Sequence, residues 1–261
     1  MTLGSLSEYS QFLKKLTRRV GDFLIKGNHN RKTVQYKGVV DLVTQYDTQS
    51  QTFIVREIER RYPEHGILSE ENVAKNTKSG MKWIVDPLDG TTNFAHGLPI
   101  WSVSIALEYN GRIVAGVVYD PTREELFSAE SGNGAYLNNS RISVSQTGEL
   151  DKALLVTGFP YDIRKNKDNN IDNFKKFALC SQAVRRLGSA ALDLCYTASG
   201  RFDGYWEYRL SPWDQAAGML ILQEAGGKIT DFQGGQFSIY GDQVLATNGL
   251  IHKQMVHVLR H

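Results

Sequence analysis

Asp86 and Asp89 stand three residues apart in the run Asp86-Pro87-Leu88-Asp89-Gly90-Thr91-Thr92, directly after the apolar stretch Trp83-Ile84-Val85. Two carboxylates on one tight turn, separated by a rigid proline, offer the hard oxygen ligands that Mg²⁺ takes at near-octahedral positions. A sharp turn also brings the backbone carbonyl of Leu88 to face the same centre. Gly90-Thr91-Thr92 then opens a short predicted helix. Its free N–H groups point at an anion, so a phosphate can rest there beside the metal. The plain alternative is a turn with exposed aspartates, because Pro87 and Gly90 are ordinary turn formers.

Three further acids are candidates, and each has a bland explanation by itself. Glu70, in Ser69-Glu70-Glu71, follows a predicted strand, where a carboxylate can reach a cleft or simply face water. Asp214 lies on the first turn of a helix that starts at Pro212, where the helix dipole already favours an acid. Asp47 lies near a helix start, where N-capping is enough to account for it.

The elements that must position these groups can be read from periodicity. Leu6, Tyr9, Leu13, Leu16, Val20, Phe23 and Leu24 recur at spacings of three and four and predict a first helix, ended by Gly27-Asn28. Residues 29–38 read as a loop or short hairpin. A second helix is predicted from about Asp47 to Tyr62, with Phe53, Ile54, Ile58 and Tyr62 inward and Pro63 as its stop. Short strands follow at 66–68 and 82–85. A strand–turn region then covers 103–109, 113–119, 125–129, 135–137 and 142–144, with Asn110-Gly111 as a hairpin turn. The second half alternates: strands at 153–158, 184–187, 202–207 and 244–246, helices at 168–180, 189–199, 212–225 and the end of the chain. That alternation suggests a layered α/β half. A soft boundary divides residues 1–147, which hold most of the candidate ligands, from residues 148–261, which complete the site.

Composition bounds the function. The chain has 261 residues, 41% hydrophobic and 22% charged, with a formal net charge of +2. Nucleic-acid binders normally concentrate basic charge; here Arg18-Arg19, Arg60-Arg61 and Arg185-Arg186 are dispersed. Two cysteines, Cys180 and Cys195, are too few for a secreted disulfide scaffold and sit among apolar residues. No signal-peptide core and no apolar run of membrane-spanning length is present, so a cytoplasmic protein is expected. The six histidines are read as forming no pair with ligand spacing. Gly132-Asn133-Gly134 lacks the helix that a nucleotide-binding loop needs and is read as a β-turn.

In combination these segments resemble the inositol monophosphatase family. The resemblance covers nearly the whole chain. It rests on Asp41-Leu42-Val43-Thr44 through Asp47, Ser69-Glu70-Glu71, the segment from Trp83 to Phe94, Gly188-Ser189-Ala190-Ala191, and Trp213-Asp214 followed by Glu224-Ala225-Gly226-Gly227. It implies an α/β, layered αβαβα sandwich of the sugar-phosphatase type, with an antiparallel N-terminal sheet and a mixed C-terminal sheet. It implies Mg²⁺-dependent hydrolysis of a small phosphate monoester, with two or three ions per site, a homodimer, and lithium sensitivity. Glu70, Asp86, Asp89, Asp214 and the Leu88 carbonyl match the metal ligands. Thr91, assisted by Asp47, matches the pair that activates water, with Glu70 beside the activating ion. Asp89, Gly90, Thr91 and Asp214 match the phosphate end of the substrate site. Gly188, Ser189, Ala190 and Glu207 match its polyol end, and Arg185 matches a position near a subunit contact.

Two departures touch the substrate. Tyr36-Lys37 is one place out of register with a family lysine, and Tyr208-Arg209-Leu210-Ser211 lacks the histidine of the animal enzymes. Inositol monophosphate is the expected substrate. Histidinol phosphate, a sugar or adenosine bisphosphate, or a regulatory, RNA-associated role on the same fold are the alternatives.

Overall fold

A computed structural model describes residues 3–28, 34–36, 42–71, 73–76 and 79–261. Asp41, Lys37 and His29 lie outside the described residues. Helix α1 (Leu3–Asn28) buries Leu13, Leu16, Val20 and Leu24. Phe23, expected on the same stripe, is exposed and rests its ring on Tyr46 instead, because a 3.6-residue period carries Leu24 inward. A hairpin of β1 (Val34–Tyr36) and β2 (Leu42–Thr44) leads into α2 (Gln45–Arg61), which starts two residues before Asp47.

The next elements are β3 (Gly66–Ser69), β4 (Val73–Lys75), β5 (Met81–Asp89), the short α3 (Thr91–His96), β6 (Ser102–Tyr109), β7 (Arg112–Asp120), β8 (Glu125–Glu130), β9 (Ala135–Leu137) and β10 (Ser140–Arg141). Their strands form one sheet in the order β10-β9-β8-β7-β6-β5-β3-β4. Every neighbouring pair is antiparallel except β3 with β5. The strand expected at 142–144 does not form. The Val144 amide turns away to the carbonyl of Ala225 and seats its side chain in the central core. Gly132 and Gly134 donate their amides to the two carboxylate oxygens of Glu224, at 2.7 and 2.8 Å, so that glycine turn docks on a helix end.

The rest of the chain is β11 (Leu154–Thr157), α4 (Ile171–Cys180), β12 (Ala183–Arg185), α5 (Ala190–Ala198), β13 (Gly204–Tyr208), α6 (Pro212–Glu224), β14 (Lys228–Thr230), β15 (Gln243–Thr247) and α7 (His252–Arg260). The second sheet runs β12-β11-β13-β15-β14 and is mixed, with β11 parallel to both its neighbours. Helices α1 and α2 cover one face of the first sheet, α5 and α6 fill the space between the sheets, and α4 and α7 cover the outer face of the second. This is the αβαβα sandwich. No helix among the described residues is long and apolar enough to cross a membrane.

His252 makes a pH-dependent contribution to this framework. Its two ring nitrogens lie 3.0 Å from the Thr230 hydroxyl and 2.9 Å from the Thr247 hydroxyl. Thr230 donates its own proton to the Asp231 carbonyl at 2.6 Å, so it accepts from Nε2–H and leaves Nδ1 to accept from Thr247. The neutral ring is satisfied on both sides; burial first, then the charge of Lys228, lowers the pKa to about 4. The unfolded chain therefore binds the proton first. Stability from this group is full above the unfolded value near 6.5 and falls as pH drops towards 4. Urea unfolding at pH 7 and pH 5 should differ by about 1–2 kcal/mol more in the native protein than in His252→Gln.

Candidate active site

The strand β5 does not end at Val85, as the sequence suggests; it runs on through Pro87 to Asp89. Its pairing with β6 holds at Asp86↔Ser104, slips, and resumes at Asp89↔Ser102. Three steps on one strand thus oppose two on the other, which is a β-bulge. Without it Asp86 and Asp89 would point to opposite faces, because side chains alternate along a strand. The extra residue puts both carboxyls on one cavity and excuses the missing N–H of Pro87.

That cavity has a volume of about 400 Å³, and Glu70, Asp86, Leu88, Asp89, Ser189, Glu207 and Asp214 are among the residues on its wall. Several of these acids are tied by the backbone through one oxygen. Asp86 Oδ1 accepts the Leu88 amide at 3.0 Å. Asp89 Oδ2 accepts the Ala191 amide at 3.1 Å, together with the Ser189 and Ser102 hydroxyls. Asp214 Oδ2 accepts the Ser211 amide at 2.6 Å, reaching back from the third residue of α6 to its N-cap. The sequence suggests only a helix-dipole account of Asp214; the structure adds a capping role, and both coexist with its place on the cavity.

The electrostatics are those of acids held too close together. Burial first, then the charges of Glu70, Asp89 and Asp214, hold Asp86 well above the ordinary carboxylate range. Asp214 is raised in the same way by burial, Asp89 and Glu70. Burial raises Asp89 to about 6 in spite of its hydrogen bonds. Among the described residues no three His, Cys, Asp or Glu groups stand close enough together to hold a metal ion as they are placed. The donor set, all oxygen and mutually repelling, fits a hard divalent cation, whose charge removes the repulsion that raises these groups.

Asp47 and Thr91 meet across 44 residues of sequence. Thr91 Oγ1 donates within reach of Asp47 Oδ1 at 2.8 Å and the Leu88 carbonyl at 3.0 Å. The other Asp47 oxygen accepts the Thr44 amide at 2.8 Å and the Thr44 hydroxyl at 2.5 Å, as the acid of a capping box on α2. Asp47 is thus both a cap and the partner of Thr91. Gly90, the N-cap of α3, has φ +90°, and a Cβ there would lie 3.0 Å from the Ile100 carbonyl and 3.3 Å from the Gly188 carbonyl. Only glycine fits both the conformation and the approach.

At the far end, Gly188, Ser189, Ala190 and Glu207 line the same cavity. Burial raises Glu207 to about 7, although Tyr205 donates to its Oε2 at 2.6 Å. The Tyr208–Ser211 segment forms part of the rim, where Arg209, with φ +58°, pairs with Asp162 at 2.5 Å. Arg185 is exposed on the edge strand β12, away from the cavity wall, whereas its neighbour Arg186 is on it.

Four contributors are not singled out from the sequence. Arg186 and Asp193 line the cavity. Asn93 donates to the carbonyls of Ile100 and Leu187, both at 2.8 Å, and ties α3 to the Gly188 turn. Gln51 sits one helical turn after Asp47. Its amide donates to the Glu71 carbonyl and accepts the Glu71 amide, both at 2.9 Å, and also accepts the Ser69 hydroxyl. The i, i+4 spacing from Asp47 was the available clue. Gln51→Ala frees the turn that carries Glu70; the Mg²⁺ concentration for half-maximal phosphate release should rise about tenfold, as for loss of an orienting partner behind a ligand.

The histidines require one correction. His257 and His261 are four apart on the α7 end and bring their rings to 4.8 Å, a spacing the sequence reading overlooked. They line a separate basic cavity with Lys228 and Lys253 that shares no residue with the acidic one.

Comparisons with known proteins identify the family and the fold. The model of the inositol monophosphatase family matches residues 5–261. The chloroplastic phosphatase IMPL1 of Arabidopsis thaliana is 42% identical over 232 residues; they cover 86% of this chain but only 62% of that protein's length. The Nus factor SuhB of Pasteurella multocida is 41% identical over 94% of this chain and 93% of its own. The solved structure of inositol monophosphatase from Anabaena (Nostoc) sp. superposes with a TM-score of 0.90 at 41% identity, over 98% of this chain and 96% of that one. The chain belongs to the inositol monophosphatase family of phosphoric monoester hydrolases.

Proposed function

We propose that this chain hydrolyses a small phosphate monoester with Mg²⁺, and that myo-inositol monophosphate is its substrate. The observation that carries the reading is the convergence of Glu70, Asp86, Asp89 and Asp214 from separate segments onto one cavity, where burial and mutual repulsion call for a cation. Glu70, Asp86, Asp89, Asp214 and the Leu88 carbonyl would hold two or three ions, in a site assembled between residues 1–147 and 148–261. When bound, Mg²⁺ supplies charge neutralisation for the phosphoryl group and acidification of the attacking water.

The chain's own residues do the rest. Asp47 accepts the hydrogen bond of the Thr91 hydroxyl, which leaves the Thr91 oxygen to accept from water and aim it. Gly90 lets the start of α3 approach the phosphate without a side chain in the way. Ser189 and Ala191 keep Asp89 in place, and Glu207 accepts hydroxyls of the leaving alcohol. Positioning and charge stabilisation supply most of the rate enhancement in such a phosphoryl transfer. Phosphate release from a panel of monoesters, with Mg²⁺, with chelator and with Li⁺, tests the reading. Turnover untouched by the chelator overturns it; Li⁺ inhibition and a dimer by light scattering are the accompanying expectations.

The SuhB relative's description as a Nus factor favours a second reading, in which the same fold serves as an RNA-associated regulator. Salt-dependent RNA binding that survives Asp89→Asn would support it, because phosphate-backbone contacts do not need the acidic cluster.

A further inference from the structure

Asp193 is the fourth residue of α5, buried to 1% exposure on the wall of the active cavity. Its Oδ1 has no hydrogen-bond partner among the described residues. A buried carboxyl in that condition is expensive to keep, and the dipole of α5 offsets only part of the cost. Burial and the charges of Glu207 and Asp89 raise it well above the ordinary carboxylate range, while Arg186 acts the other way. Arg186 has the same opposing effect on Glu207. The far wall thus holds two carboxyls and one guanidinium. Arg209, the other cation on that rim, is engaged with Asp162.

Such a wall has a definite preference. Carboxylate oxygens accept hydrogen bonds, so they match hydroxyls on the leaving alcohol. A second phosphate is itself acceptor-only and doubly charged, and it would meet two buried carboxyls set against the single guanidinium of Arg186. On the phosphatase reading above, we infer that Asp193 is a specificity-determining residue. It accepts a hydrogen bond from a hydroxyl of the leaving alcohol beside Glu207, and this wall selects polyhydroxy monoesters against bisphosphates.

The test compares wild type, Asp193→Ala and Asp193→Asn on myo-inositol 1-phosphate, phenyl phosphate and fructose 1,6-bisphosphate, each with Mg²⁺. Free myo-inositol is the separate binding probe, read as a shift in melting temperature. A hydrogen bond to a buried carboxyl is worth about 10-fold in discrimination. The ratio of kcat/KM for the inositol ester to that for phenyl phosphate should fall about tenfold in Asp193→Ala, mainly through KM, with Asp193→Asn in between. The bisphosphate should be the poorest substrate of the wild type and gain relative to the inositol ester in Asp193→Ala. Myo-inositol should raise the melting temperature of the wild type and not that of Asp193→Ala.

An unchanged substrate ratio in a folded, active Asp193→Ala overturns the inference and leaves the phosphatase reading standing. A wild type that prefers the bisphosphate overturns it as well. If no ester turns over but myo-inositol still stabilises the protein through Asp193, the polyol site stands and the phosphatase reading falls.

Discussion

Asp89→Asn loses Mg²⁺-dependent phosphate release by at least about 10²–10³-fold, the usual cost of removing one preorganised electrostatic group from a site of this kind. The protein stays folded. The asparagine carbonyl can still accept the Ala191 amide and the Ser189 hydroxyl that Asp89 Oδ2 accepts, so α5 keeps its anchor on β5. What changes is the other arm. An amide NH₂ replaces a carboxylate oxygen among Asp86, Asp214 and Glu70, and a donor there repels a cation. Removing one of several mutually repelling buried acids also relieves part of their strain, so the melting temperature should hold or rise. Calorimetric Mg²⁺ titration, phosphate release and a circular-dichroism melt check the three parts separately. Near-native turnover in a folded Asp89→Asn would falsify the assignment.

Thr91→Val should lower kcat by about 10²–10⁴-fold, the range for losing a positioned proton-transfer group. The substitution keeps the shape and removes only the hydroxyl that joins Asp47 to the cavity. Thr91 is not offered as a side-chain metal ligand, so Mg²⁺ affinity and KM should move little, which marks an interaction made in the transition state. Asp47 Oδ1 is left without its hydroxyl partner in a fully buried position, which should cost about 1–3 kcal/mol of stability. Thr91→Ser restores the hydroxyl and should recover most of the rate. A valine variant whose kcat is unchanged, or whose loss is entirely in Mg²⁺ affinity, rules out the water-orienting role.

The layering and the acidic residues could be read from the sequence because they are written in short periods and dense motifs. The helical stripes, the Pro212 start of α6 and the Asp86–Thr92 run are local signals. The path of β5 was not legible, because a proline inside a strand argues for its end. Only the bulge against β6, a pairing between distant segments, reverses that conclusion. Gln51 and Asp193 were invisible for a different reason. A glutamine on an amphipathic helix and an aspartate in a first helical turn are both ordinary; the partners of Gln51 are 18 or 20 residues away, and Asp193 Oδ1 has none among the described residues. In sequence, helix capping accounts for Asp47 and the helix dipole for Asp214, and neither local account points to a cavity. The structure assigns one oxygen of each to the cap.

That double use of a carboxylate has a thermodynamic corollary. Asp47 and Asp214 each fasten the opening turn of a long helix with one oxygen and turn the rest of the group towards Thr91 or the cavity. Whatever neutralises the cavity therefore also braces the beginnings of α2 and α6. Ion uptake and protection of those amides from solvent exchange become reciprocal: a chelated protein should fray first at residues 45–48 and 212–215. The same linkage limits redesign. A change at Asp214 also resets where α6 begins, so altered ion preference and altered thermal tolerance should be acquired together there.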